Sequence, residues 1–268
     1  MILTFFQQSS IVARMFLRLI FIVLLLNSAL VRAETPVVAV AANMTHVMTE
    51  VADQYQAKTG KQIKLTFGSS GNFTRQIQQA APYTLFLSAD KKYVDILTEN
   101  NLTDSKAIAF ARGEIGILIP NRSVLSNATD IRSIFQSLIY GQYRKIAIAN
   151  PETAPYGAAA MQALQSGGLW ATSSQKTLIA ENAAQVVQYG LTGSVDLAII
   201  PSSFAIYPGL LGQGKFYPIP PSWHDPIDQY LVLLKGAGKS TRAFLNYLSS
   251  EAVKDIIKKY GYSLPNNH

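Results

Sequence analysis

The sequence has no cysteine in its 268 residues. That excludes a disulfide scaffold, thiolate metal ligation and a cysteine nucleophile. Histidine is nearly as scarce, at three. His268 is the last residue, His224 lies in a proline-rich stretch, and His46 has no partner at His-x-x-x-His spacing. The sequence therefore offers neither a histidine metal centre nor a histidine base for catalysis, and no direct cation ligands are assigned. Charged residues are also few, 15% against 49% hydrophobic. Such a chain is not kept unfolded by its own charge and has ample material for a core.

The net charge of +7 at first suggests a polyanion partner. Three of the basic residues, however, are Arg14, Arg18 and Arg32, in a segment with no acidic residue. That segment, 1–33, reads as a secretory signal: a basic flank, the apolar run Leu19 to Leu26, and small residues at Val31-Arg32-Ala33. The run is shorter than the roughly 20 residues that cross a bilayer. Processing would start the mature chain at Glu34, and Met15 is an alternative first residue. From Glu34 onward, 20 basic residues face 16 acidic ones. This is an ordinary surface, and nucleic acid is not expected as a partner. The expected location is a periplasm.

Strand and helix signals then alternate. Val37 to Ala41 is a continuous apolar run, as in a strand covered on both faces. Val47, Met48, Val51, Ala52 and Tyr55 recur at helical spacing until Thr59-Gly60. Ile63, Leu65 and Phe67 alternate as a strand, followed by a helix carrying Phe73, Ile77 and Ala80, a strand at Leu85 to Leu87 and a helix after Asp90. Further strands are predicted at Ile115 to Ile119, Ile146 to Ala149, Leu178 to Ala180, Leu197 to Ile200 and Tyr230 to Leu234. Helices fit at Gly157 to Gln165 and Ala183 to Tyr189. One C-terminal helix is predicted, with Phe244, Leu248, Val253, Ile256 and Ile257 on its apolar face. The order specifies an α/β protein with mostly parallel sheets, which binds small ligands where strands end and helices begin.

Four strand-to-helix turns carry polar groups at such places. Asn43, after the first strand, could cap the helix or donate its amide to a ligand. Gly68-Ser69-Ser70-Gly71 combines close backbone approach, two hydroxyls and a helix start, which suits an anion or a plain capped turn equally. It lacks both the Gly-x-Ser-x-Gly hydrolase elbow and the Gly-Lys-Ser/Thr phosphate-loop ending. Pro155-Tyr156-Gly157 stiffens a third entry and offers a hydroxyl. At Glu181-Asn182-Ala183, Asn182 is a cap and Ala183 can give only its backbone N–H. Asp90 with Glu181 makes no recognisable acid/base pair, and Arg75 and Lys91 read as surface charges.

Taken together, these segments resemble a family. Val38-Ala39-Val40-Ala41-Ala42-Asn43, Phe67-Gly68-Ser69-Ser70-Gly71, Arg75-Gln76-Ile77, Leu87-Ser88-Ala89-Asp90, Tyr156-Gly157, Glu181-Asn182, and Phe244-Leu245 through Lys259-Tyr260-Gly261-Tyr262 are similar to the molybdate-binding proteins of ABC importers. The likeness runs from about Val37 to Tyr262. It implies a two-lobed type II periplasmic binding fold, each lobe a mostly parallel sheet flanked by helices, joined by two crossover strands. Residues 34–113 plus 231–268 would form lobe I and 114–230 lobe II. It also implies a monomer with no cofactor and no chemistry of its own, which holds molybdate or tungstate between the lobes and delivers it to a membrane permease. By position the ligand contacts fall on Asn43, Ser70, Tyr156 and Ala183, with a backbone contact from Ala42. The chain departs from one family branch in having Asn43 instead of serine and Pro201 instead of tyrosine, and Pro201 donates no hydrogen bond. Three alternatives stand beside this reading: a same-fold carrier of sulfate, phosphate or a small organic anion, a secreted hydrolase using Ser70, and a sensor domain.

Overall fold

The computed structural model describes residues 35–265; the expected signal segment, 1–33, lies outside them. The first strand, β1 (Val37–Ala41), is followed by a 3-10 turn at Ala42–Met44 and helix α1 (Thr45–Thr59). Then come β2 (Lys64–Gly68), α2 (Ser70–Gln78), β3 (Leu85–Ser88), α3 (Lys91–Glu99) and β4 (Ile108–Gly113). A second run holds β5 (Ile115–Pro120), α4 (Ile131–Ile139), β6 (Ile146–Ala149), α5 (Pro155–Ser166), β7 (Thr177–Ala180), α6 (Ala183–Leu191), β8 (Leu197–Pro201) and β9 (Gly214–Pro218). The chain closes with β10 (Ile227–Leu233), α7 (Lys239–Leu248) and α8 (Glu251–Lys259).

Two five-stranded sheets result, ordered β2-β1-β3-β10-β4 and β7-β6-β8-β5-β9. In each, one strand runs against its neighbours: β10 is antiparallel to β3 and β4, and β5 to β8 and β9. These are the strands reached by crossing between the sheets. β5 leaves the first sheet directly after β4, and β10 returns to pair Ile227 with Gly113. The architecture is the two-lobed α/β one, with the parallel pairs β1–β2, β1–β3, β6–β7 and β6–β8 at its heart.

The alternation of side chains along a strand explains why β1 is apolar throughout. Val38 and Val40, with Leu85, Leu87, Leu231 and Leu233, pack on one face against Val47 and Val51 of α1, Phe244 of α7 and Val253 of α8. Ala39, Phe86 and Val232 face the other way, against Phe73 and Ile77 of α2 and Val94 and Leu97 of α3. The second sheet has a single larger core with Ile117, Ile119, Ile146, Ile148, Leu197 and Ile199 at its centre.

Three features differ from the sequence expectation. The C-terminal helix is two helices, broken at Ser249-Ser250, where Ser250 is extended. The reason is periodicity. From Leu248 to Val253 is five residues, which in one straight helix would turn Val253 about 140° away from the core. Ala80 lies beyond α2, with φ of 62°. β4, β9 and α4 lie outside the expected elements: β4 and β9 lack a strict alternation, whereas Ile131, Ile134, Phe135 and Leu138 of α4 do recur at helical spacing, behind a capping box in which Asp130 accepts from the Ser133 N–H.

Beneath the second sheet, fully buried Asp196 accepts the Arg144 N–H at 2.6 Å and its guanidinium at 2.8 Å. Burial alone would raise this carboxyl; the bonds to Arg144 outweigh it and hold the carboxyl below its ordinary value. A depressed folded pKa contributes stability above the unfolded value of 3.8, and the contribution disappears as pH falls through the folded pKa. The melting temperature of the parent should therefore fall more steeply below pH 4 than that of Asp196→Asn. Parallel curves would show that Asp196 contributes nothing to acid sensitivity.

Candidate functional site

Four helix starts face one another where the two sheets' strands end. The first two N–H groups of a helix have no acceptor inside it, and their dipoles attract negative charge. After β1 this is the 3-10 turn at Ala42 and Asn43. After β2 it is Ser69 and Ser70, after β6 it is Tyr156, and after β7 it is Ala183. Together with Ala41, Gly68, Ala89, Ala154, Pro155 and Asn182 they line one small, narrow hollow. No lysine, arginine, aspartate, glutamate or histidine lies on its wall. All five residues expected as contacts (Ala42, Asn43, Ser70, Tyr156 and Ala183) stand on it. Pro201 does not; it ends β8 opposite Ile115.

Local chemistry decides which groups are free. Asn182 caps α6 by accepting from the N–H groups of Ala184 and Gln185, both at 3.1 Å, which leaves the Ala183 N–H uncommitted by the cap. Pro155 opens α5 and has no N–H, so Tyr156 supplies the first donor of that helix. The Ser70 hydroxyl accepts from the Ala89 N–H at 3.1 Å, so its own hydrogen remains available. Ser70 is fully buried.

Two side chains behave differently from the sequence reading. Asn43 does not cap α1, whose N-cap is Met44. Its amide Nδ2 donates to Gln229 Oε1 at 2.8 Å and to the Tyr262 hydroxyl at 2.9 Å, with the Tyr156 hydroxyl at 3.4 Å. An amide has two hydrogens, and both are committed here. The Tyr156 hydroxyl is likewise turned into this cluster and away from solvent, where a Cβ on Gly113 would meet it at 1.9 Å. Burial, reinforced by the neighbouring Tyr262, pushes the Tyr156 phenol well up, and burial also raises Tyr262; both stay neutral hydroxyls. The Asn43 amide and the Tyr156 hydroxyl are therefore engaged in this cluster, and the groups of these two residues left to serve a ligand are their backbone N–H groups. Gln229 and Ser203, neither singled out by the sequence, complete the cluster with Tyr262, which the sequence marks only through the family resemblance. Ser203 and Tyr262 both donate to the Asn43 carbonyl at 2.9 Å. Gln229 was legible only as a polar residue entering an apolar strand.

The lobes touch across the hollow. The Gly71 N–H donates to the Thr153 carbonyl at 2.8 Å and the Tyr93 hydroxyl to the Glu152 carbonyl at 3.0 Å. A Cβ on Gly71 would stand 3.0 Å from Thr153 Cα, so this approach requires glycine or a small retreat. Asn72 Nδ2 reaches Glu181 at 3.3 Å. The remaining polar residues named from sequence serve locally: Asp90 caps α3, Lys91 pairs with Asp95, and Arg75 bonds Asn72. His46 stacks on Tyr207 with ring centroids 3.6 Å apart. A wider groove lies alongside, with Asp90, Asp225 and Asp228 as well as Lys91 and Lys92 on its wall; Lys92 pairs with Asp90, and Arg112 pairs with Asp228.

A hollow walled by uncharged donors is suited to an anion and offers no base or nucleophile pair for turnover. Comparison with known proteins places the chain among relatives. Residues 36–263 match the family described as bacterial extracellular solute-binding protein. The molybdate-binding protein of Azotobacter vinelandii is 32% identical over 230 residues, covering 85% of this chain and 89% of that protein. The molybdate-binding protein of Rhodobacter capsulatus is 32% identical over 235 residues, covering 84% and 87%. Among solved structures, the periplasmic molybdate-binding protein of Azotobacter vinelandii superposes with a TM-score of 0.78 at 28% identity, over 87% of this chain and 100% of that one. The chain thus belongs to the bacterial extracellular solute-binding protein family, alongside its molybdate-binding members.

Proposed function

We propose that this protein is the periplasmic substrate-binding subunit of an ABC importer, which captures molybdate or tungstate between its lobes and hands it to an inner-membrane permease. It acts as an exported monomer after removal of residues 1–33. Lobe I, 34–113 with 231–268, supplies Ala42, Asn43 and Ser70; lobe II, 114–230, supplies Tyr156 and Ala183. The observation that carries this reading is the meeting of four helix starts on one hollow with no charged side chain.

A dianion can be held by neutral dipoles when these are fixed before it arrives, because no reorganisation is then required. Hydrogen bonds to a charged group contribute about 1.5–3 kcal/mol each. Micromolar binding needs about 8 kcal/mol after desolvation, so a handful of such bonds suffices. A wall of donors favours a fully ionised tetrahedral anion. Phosphate retains a proton near neutrality and would set its own O–H against an N–H. Sulfate is smaller, and donors fixed for a larger anion reach its oxygens poorly. Contacts from both lobes make ligand and closure mutually stabilising.

Calorimetric titration with molybdate, tungstate, sulfate and phosphate tests this directly. Molybdate and tungstate should bind at micromolar concentration or below and phosphate not at all, and Ser70→Ala should weaken molybdate by about 1–3 kcal/mol. Tighter binding of sulfate than of molybdate would hand the site to the same-fold alternative. The hydrolase alternative has little to work with, since neither His46 nor His224 lies on the wall beside Ser70.

A further inference from the structure

We infer that the Ser69 hydroxyl is an additional oxyanion contact in the hollow, an inference that rests on the ligand class proposed above. Ser69 is the N-cap of α2, with φ of −81° and ψ of 146°. A serine in that position ordinarily accepts from the second or third N–H of its helix. Ser69 makes no such bond. The Gly71 N–H, the second of the helix, is drawn across the cleft to the Thr153 carbonyl at 2.8 Å, and the Asn72 N–H, the third, is not taken by the hydroxyl either. The hydroxyl is thereby released from capping.

It is also 3% exposed and has no hydrogen-bond partner of any kind. Buried hydroxyls are nearly always satisfied, because leaving one unpaired forfeits its hydration with nothing in return. Ser69 lies on the wall of the hollow, between Gly68 and Ser70. Other buried hydroxyls without partners, at Ser173, Ser202 and Ser250, lie away from that wall. Location separates Ser69 from them: it is the unpaired hydroxyl that an incoming anion can satisfy. Ser70 differs again, because its oxygen is occupied by the Ala89 N–H and only its hydrogen is free. The two adjacent serines would then give two charge-assisted bonds from one turn, alongside the N–H groups of the helix starts.

This assignment predicts opposite effects on affinity and on stability, which a structural hydroxyl would not produce. Molybdate titrations of the parent, Ser69→Ala and the control Ser250→Ala should be paired with thermal melts of each ligand-free protein. Ser69→Ala is expected to weaken molybdate at least tenfold, while its ligand-free melting temperature stays level or rises, since an unpaired polar group is removed. Ser250→Ala should leave affinity at the parent's value. Should Ser69→Ala fail to fold, Ser69→Cys replaces the hydroxyl by a weak donor of similar shape and should show the same loss of affinity. Affinity within twofold of the parent would overturn the inference, as would a melting temperature that falls together with affinity. A parent that binds none of molybdate, tungstate, sulfate or phosphate would overturn the reading of the hollow itself. Normal binding by both the parent and Ser69→Ala would overturn only the role of Ser69.

Discussion

Gly157→Ala should abolish tight oxyanion binding and lower the melting temperature in the same protein. Gly157 sits in the first turn of α5, against the end of β6. An added Cβ would lie 2.2 Å from the Ala149 carbonyl oxygen, 2.6 Å from its carbon and 2.8 Å from the Asn150 carbonyl carbon. All three are backbone atoms and cannot rotate aside, so the start of α5 must lift off the strand. Overpacking of this kind costs roughly 1–3 kcal/mol and sometimes more. For a chain of this size each kcal/mol lowers the melting temperature by about 2–4 °C. The shift would also carry the Tyr156 N–H out of the hollow, and with it the donor from that helix. The expected result is at least a hundredfold loss of molybdate affinity by calorimetry. A variant that binds as tightly as the parent would remove α5 from the site.

Asn43→Ala should be the next most damaging change, chiefly through stability. The amide is the donor that satisfies Gln229 Oε1 and the Tyr262 hydroxyl, and Gln229 is fully buried. Removing the amide deprives two buried acceptors of their donor, each at a cost of about 1–3 kcal/mol. The expected loss is roughly 2–4 kcal/mol by urea unfolding, with molybdate binding weakened as the turn at Ala42–Met44 loosens. Because the damage lies in the stranded partner, adding Gln229→Leu to Asn43→Ala should recover part of the loss. If the double variant is as unstable as the sum of the singles, the coupling through Asn43 and Gln229 is absent.

The alternation of strands and helices was readable in the sequence because apolar spacing is a local signal. β1, α1, β3 and α5 follow from residues within one window, as does the cap at Asn182. The four turns could be recognised as helix starts for the same reason, and Ala183 as a backbone donor because its side chain can give nothing. The role of Asn43 could not be read that way. The groups that engage its amide, Gln229 and Tyr262, lie 186 and 219 residues further along the chain. Nor could the hydroxyl of Tyr156 be told from a ligand contact until Gly113 was seen beneath it. The break at Ser249-Ser250 shows in the sequence only as a phase slip between Leu248 and Val253, which two short amphipathic faces in succession obscure.

What the amino-acid sequence determined alone is the set of elements, the polar turns that join them and the absence of cysteine and of paired histidines. Each of these depends on a residue and its near neighbours. Only the tertiary structure decided that four such turns meet, that the side chains of Asn43 and Tyr156 are drawn into a buried cluster beneath the hollow, and that Ser69 is left without a partner. Those outcomes depend on which buried donors and acceptors find one another across the two sheets. Hydrogen bonding of that kind is settled by packing between distant segments, and nothing local announces it.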